Sequence, residues 1–443
     1  MQKNNPRILT AWTFYDWANS VHALVIVSSI FPVYFSATAL NEAGGPVINF
    51  LGFPIKNTVL FSYTISAAFL ITALLSPVCS AIADYSGRKK AFMKAFCYVG
   101  AISCSLLYFF TTETTTFAII CFGLSLVGWS GSIVFYNSYL PDIATEDQLD
   151  RVSARGFSMG YIGSVLLMML NLFVILKREW FGNISEALAS RIAFLTVGLW
   201  WIGFAQIPFR HLPDAVQEVD EKSGRKPGGY YLLNGFTELR SVFGQLAQRP
   251  LIRKFLLAFF VYNMGVQTVM YVATIFGSDE LKMNGQNLII LVLLLQLVAI
   301  PGAYGFSWVS ERIGNTYALM LALIIWIGIC TGAYLVQTQA QFFGLASVVG
   351  LVMGGIQSLS RSTYAKLIPA TTDTASYFSF YDITEKLSIV LGTLLYGLIE
   401  QLTGSMRNSV LGLLVLFVIG LLLLWRIPSQ KIYATDLHPE GVL

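Results

Sequence analysis

Long apolar runs alternate with shorter polar ones along almost the whole chain of 443 residues. About 20 apolar residues in a helix cross the roughly 30 Å hydrocarbon core of a bilayer. Runs of this length form helices in lipid, because a helix pairs its own backbone polar groups. The pattern therefore predicts an all-α membrane protein with twelve transmembrane helices, at residues 14–39, 58–80, 91–110, 116–140, 156–176, 191–209, 251–276, 286–308, 316–336, 341–361, 375–399 and 408–426.

The longest polar stretch, residues 210–250, divides the twelve apolar runs into two sets of six. We predict an N-terminal six-helix half at 1–209, a cytoplasmic linker at 210–250, and a C-terminal half at 251–443 with a short cytoplasmic tail. Within the linker, apolar residues recur at helical spacing from Leu232 to Leu246, and Pro250 ends the pattern. This predicts an amphipathic helix that lies on the inner membrane surface or packs against the bundle.

A polar turn occurs once in each half. The first reads Ser80-Ala-Ile-Ala-Asp84-Tyr-Ser-Gly87-Arg88-Lys89-Lys90, and the second, more degenerate copy reads Ser307-Trp-Val-Ser-Glu311-Arg312-Ile-Gly314. Asp84 and Glu311 are 227 positions apart, about half the chain. A recurrence at this spacing indicates two related halves. We predict that both turns contribute to gating, through Asp84, Gly87, Arg88, Glu311, Arg312 and Gly314.

Composition agrees with a lipid environment. Hydrophobic residues make up 55% of the chain and charged residues 12%, against about 25% charged residues in soluble domains. If the N-terminus is cytoplasmic, the cytoplasmic segments carry 21 of the 28 Lys and Arg residues and the outer segments carry six. Basic residues favour the cytoplasmic side, so both termini are predicted to be cytoplasmic. The net charge of +4 is then a topology signal, and no nucleic-acid partner is expected.

Four polar residues near the start of the first span are candidates for a cavity: Tyr15, Asp16, Asn19 and His22. Tyr15, Asn19 and His22 follow at i, i+4 and i+7, so they share a helix face. For Asp16, which is expected near the cytoplasmic face, the alternatives are a place in the cavity or a helix cap at the interface. Asn19 and His22 are expected to face the cavity, since neither reaches the headgroups.

The eleventh span contains Tyr381, Asp382, Glu385 and Lys386. Ionisable groups at such depth are costly and usually face a cavity or a partner. Asp382 and Lys386, at i and i+4, can pair along the helix. Glu385 then has no obvious partner, so it is the expected proton-carrying group, and His22 is the second candidate because imidazole titrates near neutral pH. The alternative is a fully paired structural network.

The remaining candidates for the substrate site are five amides on four other spans. Arg361, at the inner end of span 10, is expected to join Asp16 and Asn137 in a cytoplasmic gate, or to extend its charged end to the headgroup region. The amides are Asn137, Asn263, Gln267, Gln296 and Gln357.

Three motifs resemble one branch of the major facilitator superfamily, the group related to the autophagy-linked vacuolar amino-acid effluxer and also called the unknown major facilitator family. They are Tyr15-Asp-Trp-Ala-Asn-Ser20, Gly354-Gly-Ile-Gln357-Ser-Leu-Ser360-Arg361-Ser362 and Tyr377-Phe-Ser-Phe-Tyr381. The first turn resembles the superfamily's inter-helix signature, with Ser80 where glycine is usual. The resemblance covers the whole chain and implies a twelve-helix facilitator fold and solute transport. Its fungal branch implies amino-acid export.

These observations favour a secondary active transporter that moves a small polar solute by alternating access, with protons as the expected coupling ion. A non-transporting membrane sensor or scaffold of the same fold and a drug-type efflux pump are the alternatives. The fifth span lacks the proline of the drug antiporter motif. No metal spacing, nucleophile motif or phosphate-binding loop occurs, so no enzyme activity, metal or cofactor is expected. We predict that the protein is a monomer and, if the source is bacterial, that it lies in the inner membrane.

Overall fold

The computed structural model describes residues 3–41, 44–214, 242–246 and 248–427. Its helices are numbered in chain order. They are α1 (Pro6–Val21), a π-helix (His22–Val27), α2 (Ile30–Thr38), α3 (Asn57–Ser86), α4 (Lys89–Leu106), α5 (Thr115–Ser138), α6 (Leu140–Ile143), α7 (Leu149–Leu176), α8 (Glu186–His211), α9 (Pro250–Asp279), α10 (Gly285–Ile313), α11 (Asn315–Leu335), α12 (Gln339–Leu367), α13 (Thr374–Thr403) and α14 (Met406–Trp425). Single 3₁₀ turns lie at Leu107–Phe109, Thr112–Thr114 and Arg178–Phe181.

Eleven helical segments in the described ranges are long and apolar enough to cross a membrane. The 30-residue α13 is not among them because Asp382, Glu385 and Lys386 interrupt its apolar run. Every predicted apolar stretch corresponds to helical structure that begins before the stretch does, although several helices end within it. The first helix begins at Pro6, capped by the Asn5 side chain, whereas the apolar run begins at residue 14.

Two local features depart from an all-helical prediction. A two-stranded antiparallel hairpin, β1 (Val47–Phe50) and β2 (Phe53–Lys56), follows the first span. The π-helix at His22–Val27 interrupts that span. Hydrophobicity alone predicted neither, because four-residue strands and an i+5 turn leave no distinct apolar period.

Glycines allow two pairs of helices to pack closely. The Gly156-x-x-x-Gly160 pair of α7 lies against α1, and a methyl group at Gly160 would meet the Ser20 hydroxyl at 2.5 Å. On α12, a Cβ at Gly350 would lie 2.6 Å from the Leu295 carbonyl of α10, and one at Gly354 would collide with that of Ala299. Such small-residue spacing lets membrane helices approach backbone to backbone. Contacts between the first six spans and the last six are made by α7 on α10 and α12, and by α13 on α3 and α5.

The two ends of the bundle differ in the polar contacts that join the helices. At one end, called the closed end, α3, α10 and α12 terminate and α4, α7 and α13 begin, and polar side chains join them. At the opposite end, Arg407 holds the end of α11 through the Tyr334 carbonyl at 2.7 Å and pairs with Glu280 at the end of α9 at 2.9 Å. These opposite-end bonds stay within the last six spans.

Candidate functional site

A central cavity of about 240 Å³ lies between the first six spans and the last six. It reaches from Asp16 to Ser28 along the first span, twelve residues or about 18 Å of helix rise. Ten of the thirteen residues predicted for substrate or coupling line it: Asp16, Asn19, Asn137, Asn263, Gln267, Gln296, Gln357, Tyr381, Glu385 and Lys386.

The floor of the cavity is a buried ion pair between α1 and α12. The Arg361 guanidinium lies 3.2 Å from Asp16 Oδ2 and donates to Asn137 Oδ1 at 3.2 Å. It also donates to the hydroxyl and the carbonyl of Ser153, both at 2.9 Å. Tyr136 donates its hydroxyl proton to Asp16 Oδ2 at 2.7 Å. We call Asp16, Asn137, Ser153 and Arg361 the clasp.

The clasp decides between the alternatives that the sequence left open for Arg361 and for Asp16. Arg361 is 2% exposed, so it does not extend to the headgroups, and Phe157 and Trp12 lie against its guanidinium at 4.1 and 4.9 Å. Asp16 does not cap α1, because Asn5 does so eleven residues earlier. Since α1 begins at Pro6 rather than near residue 14, Asp16 lies about 15 Å into the helix and reaches Arg361 instead of the interface.

Tyr15 and His22 do not face the cavity, contrary to the predicted polar stripe. Tyr15 packs on Tyr136 with ring centroids 5.1 Å apart, and His22 Nε2 lies 2.9 Å from Ser125 Oγ inside the first six spans. The face of the first span that lines the cavity carries Asp16, Ser20, Ala23 and Val27, at i, i+4, i+7 and i+11. Asn19 lies at the edge of this face, which is rotated from the predicted one.

The charged group on α13 divides between two surroundings. Glu385 and Lys386 line the cavity, whereas Asp382 lies behind them and pairs with Lys386, as predicted for residues at i and i+4. The Glu385 carboxylate accepts a long hydrogen bond, 3.4 Å, from Gln267 Nε2. Of the two carboxylates that line the cavity, Glu385 is therefore the one with the weaker hydrogen bonds from neighbouring side chains.

Amides and hydroxyls line the rest of the cavity. Asn263 donates to Ser388 Oγ at 2.6 Å, and Tyr161 donates to Gln357 Oε1 at 2.7 Å across the two sets of spans. The amide nitrogen of Asn19 and the amide oxygen of Gln296 are buried and have no protein partner. Buried amide groups need a hydrogen-bond partner, so these two are available to a solute or to water.

Sequence reasoning missed most of the aromatic lining. Only Tyr381 was predicted, because aromatic residues are frequent in every span and carry no signal of their own at helical spacing. The other aromatic residues on the cavity wall are Phe69, Trp129, Phe157, Tyr161, Phe259, Tyr262 and Tyr271.

The first polar turn forms a latch at the closed end. Asp84, at the end of α3, accepts hydrogen bonds from the backbone amides of Ala375 at 3.2 Å and Ser376 at 2.7 Å, in the first turn of α13. It thereby caps α13 from another helix, since Asp373, at the N-cap position of α13, makes no side-chain capping bond. A carboxylate is favoured there by the helix dipole. Gly87 ends α3 at φ +67°, a left-handed conformation that suits glycine.

The cation of this latch is Lys89, not Arg88. Arg88 is exposed, whereas Lys89 is 4% exposed and lies 3.7 Å from Asp84 and 2.9 Å from Asp142. Lys89 also donates to the Thr374 hydroxyl at the start of α13. The motif therefore supplies its cation one position later than predicted, where the first turn of α4 directs the side chain inward.

We expect Asp84→Asn to loosen the closed end. The substitution removes the charge that holds the α13 terminus and Lys89, so a cysteine placed at Ile133 on the cavity wall should react faster with a membrane-impermeant maleimide added from the closed-end side. The matched control is Glu311→Gln, which alters the exposed equivalent acid in the second turn. Equal labelling rates for the wild type and Asp84→Asn would leave Asp84 a simple turn residue.

The second turn is built differently from the first. Glu311 and Arg312 are both exposed, and Arg312 lies over the Trp308 ring at 3.7 Å. Gly314 also has a positive φ, +88°, but its ψ of 156° differs from the 19° of Gly87, so the two turns differ in backbone shape.

The carboxylate of the second latch comes from the opposite side, from Asp150 in the first turn of α7. Asp150 is 2% exposed. It accepts hydrogen bonds from Ser310 Oγ at 2.8 Å, Asn315 Nδ2 at 2.7 Å and Lys366 Nζ at 2.7 Å. The sequence shows only an acid in a first turn, and its partners, 160 or more residues later in the chain, leave no local signal.

We expect Asp150→Asn to weaken the closed end on this second side, because Lys366 loses its counter-ion. Labelling of the Ile133 cysteine from the closed-end side should rise, and combination with Asp84→Asn should raise it further. The control Asp147→Asn changes an exposed acid one turn earlier. An unchanged rate in Asp150→Asn would show that the Ser153 and Arg361 contacts suffice to close this side.

The predicted linker helix falls mainly outside the described residues, at 215–241 and 247. Residues 242–246 are helical. Val242 and Leu246 are buried in the core, and Gln245 accepts a hydrogen bond from the Tyr377 hydroxyl at 3.1 Å. This portion packs against the bundle, while Phe243 on its other face is 62% exposed.

Two observations concern the cysteines and the possible metal ligands. All five cysteines are free. Among the residues that the structure describes, no group of three His, Cys, Asp or Glu side chains is arranged to hold a metal ion.

Comparison with known proteins identifies the family. The family model for proteins like the vacuole effluxer Atg22 matches residues 4–435. The chain belongs to this Atg22-like family. An uncharacterised MFS-type transporter of Bacillus subtilis, YxiO, is 33% identical over 441 residues, covering 99% of both chains. Autophagy-related protein 22-1 of Aspergillus terreus is 25% identical and covers 87% of this chain and 77% of its own.

Solved structures show the fold. A major facilitator transporter, FucP, in its outward conformation superposes with a TM-score of 0.70 at 14% identity, over 96% of this chain and 99% of its own. The human organic anion transporter MFSD10 gives a TM-score of 0.69 at 15% identity, with 96% and 100% coverage. The Atg22-like chain is thus a multi-pass integral membrane protein with the major facilitator fold, and the family resemblance of its motifs is confirmed. Its relatives are transporters, not enzymes.

Proposed function

We propose that this Atg22-like protein is a secondary active transporter that carries a small zwitterionic solute, such as an amino acid, through the central cavity with protons as the coupling ion. The observation that carries the proposal is a charge imbalance around the cavity. Its walls and the layer behind them hold three acids, Asp16, Asp382 and Glu385, and two bases, Arg361 and Lys386.

Each base already has an acid. Arg361 pairs with Asp16, and Lys386 pairs with Asp382, which leaves Glu385 as the excess carboxylate. A buried carboxylate without a cation is costly. A proton relieves this cost, so Glu385 is protonated while a solute occupies the cavity. Solute movement is then coupled to proton movement because the two cross together.

The size and polarity of the cavity favour a small zwitterion. Its volume of about 240 Å³ is below the roughly 300–1,000 Å³ of pockets for drug-sized ligands, which argues against drug efflux. Aromatic faces such as Tyr381 beside Glu385 suit an ammonium group. The free amide nitrogen of Asn19 and the Arg361 guanidinium nearby suit a carboxylate.

The two ends of the bundle support alternating access. The hydrogen bonds that cross between the two sets of spans in the described residues lie at the closed end or on the cavity wall up to Tyr161–Gln357. The clasp, the Asp84 latch and the Asp150 latch therefore have to part if the cavity is to open at the closed end. We propose that this end is cytoplasmic, in line with the distribution of basic residues, and that all twelve predicted spans cross the membrane, α13 included.

A ligand-induced thermal-shift screen tests the solute class. Purified protein is heated with amino acids, short peptides, sugars and nucleosides at neutral pH. We expect some α-amino acids to raise the unfolding temperature, and their N-acetyl and amide derivatives, which each lack one charge, to have little effect. Stabilisation by uncharged sugars or nucleosides alone would contradict the zwitterion assignment.

A further inference from the structure

The first six spans meet the last six chiefly along two contacts, and the hydrogen bonds are distributed differently in the two. One contact is α7 on α10 and α12, and the other is α3 and α5 on α13. We call the first the α7 contact, and the part of the second between α3 and α13 the seam. Both have to part if the cavity is to open fully at the closed end.

The α7 contact is bonded from the closed end to the cavity wall. Asp150 accepts a hydrogen bond from Ser310 at 2.8 Å, and Tyr161 donates one to Gln357 at 2.7 Å. Asp150 and Tyr161 are eleven residues apart, so these bonds extend over about 16 Å of α7. The clasp lies between them, and separating its buried ion pair is costly.

The seam is bonded at the beginning of α13. The residues of α13 that bond there to the first six spans are Thr374, Ala375 and Ser376, the first three of the helix. Their partners are Asp84 at the end of α3 and Asp142 in α6. All these groups lie at the closed end, so a substitution of Asp84 alone removes two of the bonds across the seam.

Farther from the closed end, serine hydroxyls line the seam. Ser76, Ser80 and Asp84 recur every four residues on one face of α3. Both ends of this row face α13, since Ser76 lies beside the Asp382 carboxylate and Asp84 accepts from the Ser376 amide. Ser76 and Ser80 are at most 1% exposed, and neither hydroxyl forms a hydrogen bond of normal geometry with the described residues. Parting the seam at this depth therefore lets water bond to hydroxyl groups that gain by it.

We propose that the closed end opens asymmetrically, with the seam parting first while the α7 contact stays closed and acts as the hinge. The contrast between a contact bonded along α7 and one bonded at the beginning of α13 carries this inference. It rests on the proposed alternating access, because an end that never opens has no order of opening. Since α13 also carries Glu385, its movement would bring water from the closed end to that carboxyl group.

Two matched cysteine variants test the order of opening. Ser80 and Ser307 hold the same place in the two polar turns and are both buried, and Ser307 lies one helical turn from Ser310 in the α7 contact. Ser80→Cys and Ser307→Cys are made separately in the full-length protein, in vesicles that expose the closed end. A small membrane-impermeant thiol reagent is added, and peptide mass spectrometry separates each introduced thiol from the native Cys79.

Each labelling rate is divided by the rate of the same thiol in the unfolded protein. We expect Ser80→Cys to react about tenfold faster than Ser307→Cys, which corresponds to about 1.4 kcal/mol between the two openings. Adding Asp84→Asn should raise the rate at Ser80→Cys further and leave that at Ser307→Cys unchanged. Equal rates at both positions would overturn the proposal while alternating access stands. No reaction at either position, with or without Asp84→Asn, would contradict the proposal and the proposed transport together.

A second pair of variants tests the hydroxyls of the seam. Ser76→Ala/Ser80→Ala should slow labelling of the Ile133 cysteine from the closed-end side severalfold, because methyl groups in place of hydroxyls favour the buried, closed seam. The control Ser105→Ala/Ser409→Ala removes two hydroxyls that donate to carbonyls within one half each, and should leave the rate unchanged. An unchanged or faster rate in Ser76→Ala/Ser80→Ala would show that these hydroxyls do not ease the parting of the seam, and would overturn the proposal.

Discussion

Asp16→Asn is expected to destabilise the protein by about 3 kcal/mol, because it leaves the Arg361 guanidinium buried without a counter-ion. This is the lower end of the range for breaking a buried pair, since Asn137 and Ser153 still accept hydrogen bonds from Arg361. The variant keeps the shape of the side chain and the position of Tyr136. Thermal or denaturant unfolding in detergent measures the loss.

The double variant Asp16→Asn/Arg361→Gln separates charge from packing. With both charges removed no unpaired ion remains, so much of the lost stability should return. The closed end, however, has lost its deepest link between α1 and α12, and labelling of the Ile133 cysteine from that side should rise. If the double variant is as unstable as Asp16→Asn, the clasp is needed for packing and not as an ion pair.

Glu385→Gln is expected to abolish uptake driven by a pH gradient while exchange of solute for solute continues. Glutamine keeps the shape of the side chain and resembles the protonated carboxyl, so the cavity still closes around a solute. It can no longer release a proton. Transport by purified protein in liposomes, with and without an imposed pH gradient, measures both reactions.

The control for this variant is Glu400→Gln, which changes an acid on the same helix outside the cavity. It should transport as the wild type does. If Glu385→Gln loses both uptake and exchange, Glu385 binds solute or supports folding instead of carrying protons. If both reactions remain at the wild-type rate, the carrier is another group. Asp16 is then the remaining cavity acid, since His22 is enclosed by Ser125, Trp129 and Trp201.

Hydrophobic periodicity predicted the helices well, because the length of an apolar run reflects the thickness of the membrane. It predicted side-chain direction less well. The first span shows why: the polar residues Tyr15, Asn19 and His22 define one face, but buried tyrosine and histidine are also accommodated inside the first six spans by stacking on aromatic rings. The cavity face is the one with Asp16, whose partner Arg361 lies 345 residues later.

The latches show the same limit. The position of Asp84 before a glycine turn is a local pattern, and a gating role was predicted from it. The choice of Lys89 over Arg88 depends on the direction in which α4 leaves the turn. In the second turn the acid of the motif, Glu311, is exposed, and Asp150 supplies the carboxylate instead. Both turns therefore meet a buried carboxylate, but at the second turn it comes from α7 and not from the turn itself.

Solute uptake by the purified protein in liposomes is the most direct test of transport through the cavity. A radiolabelled amino acid that raises the unfolding temperature is placed outside, with the inside buffered to give a pH gradient in either direction or none. We predict accumulation that follows the direction of the proton gradient, and exchange without a gradient when unlabelled solute is inside. Absence of both uptake and exchange under every gradient would contradict the account.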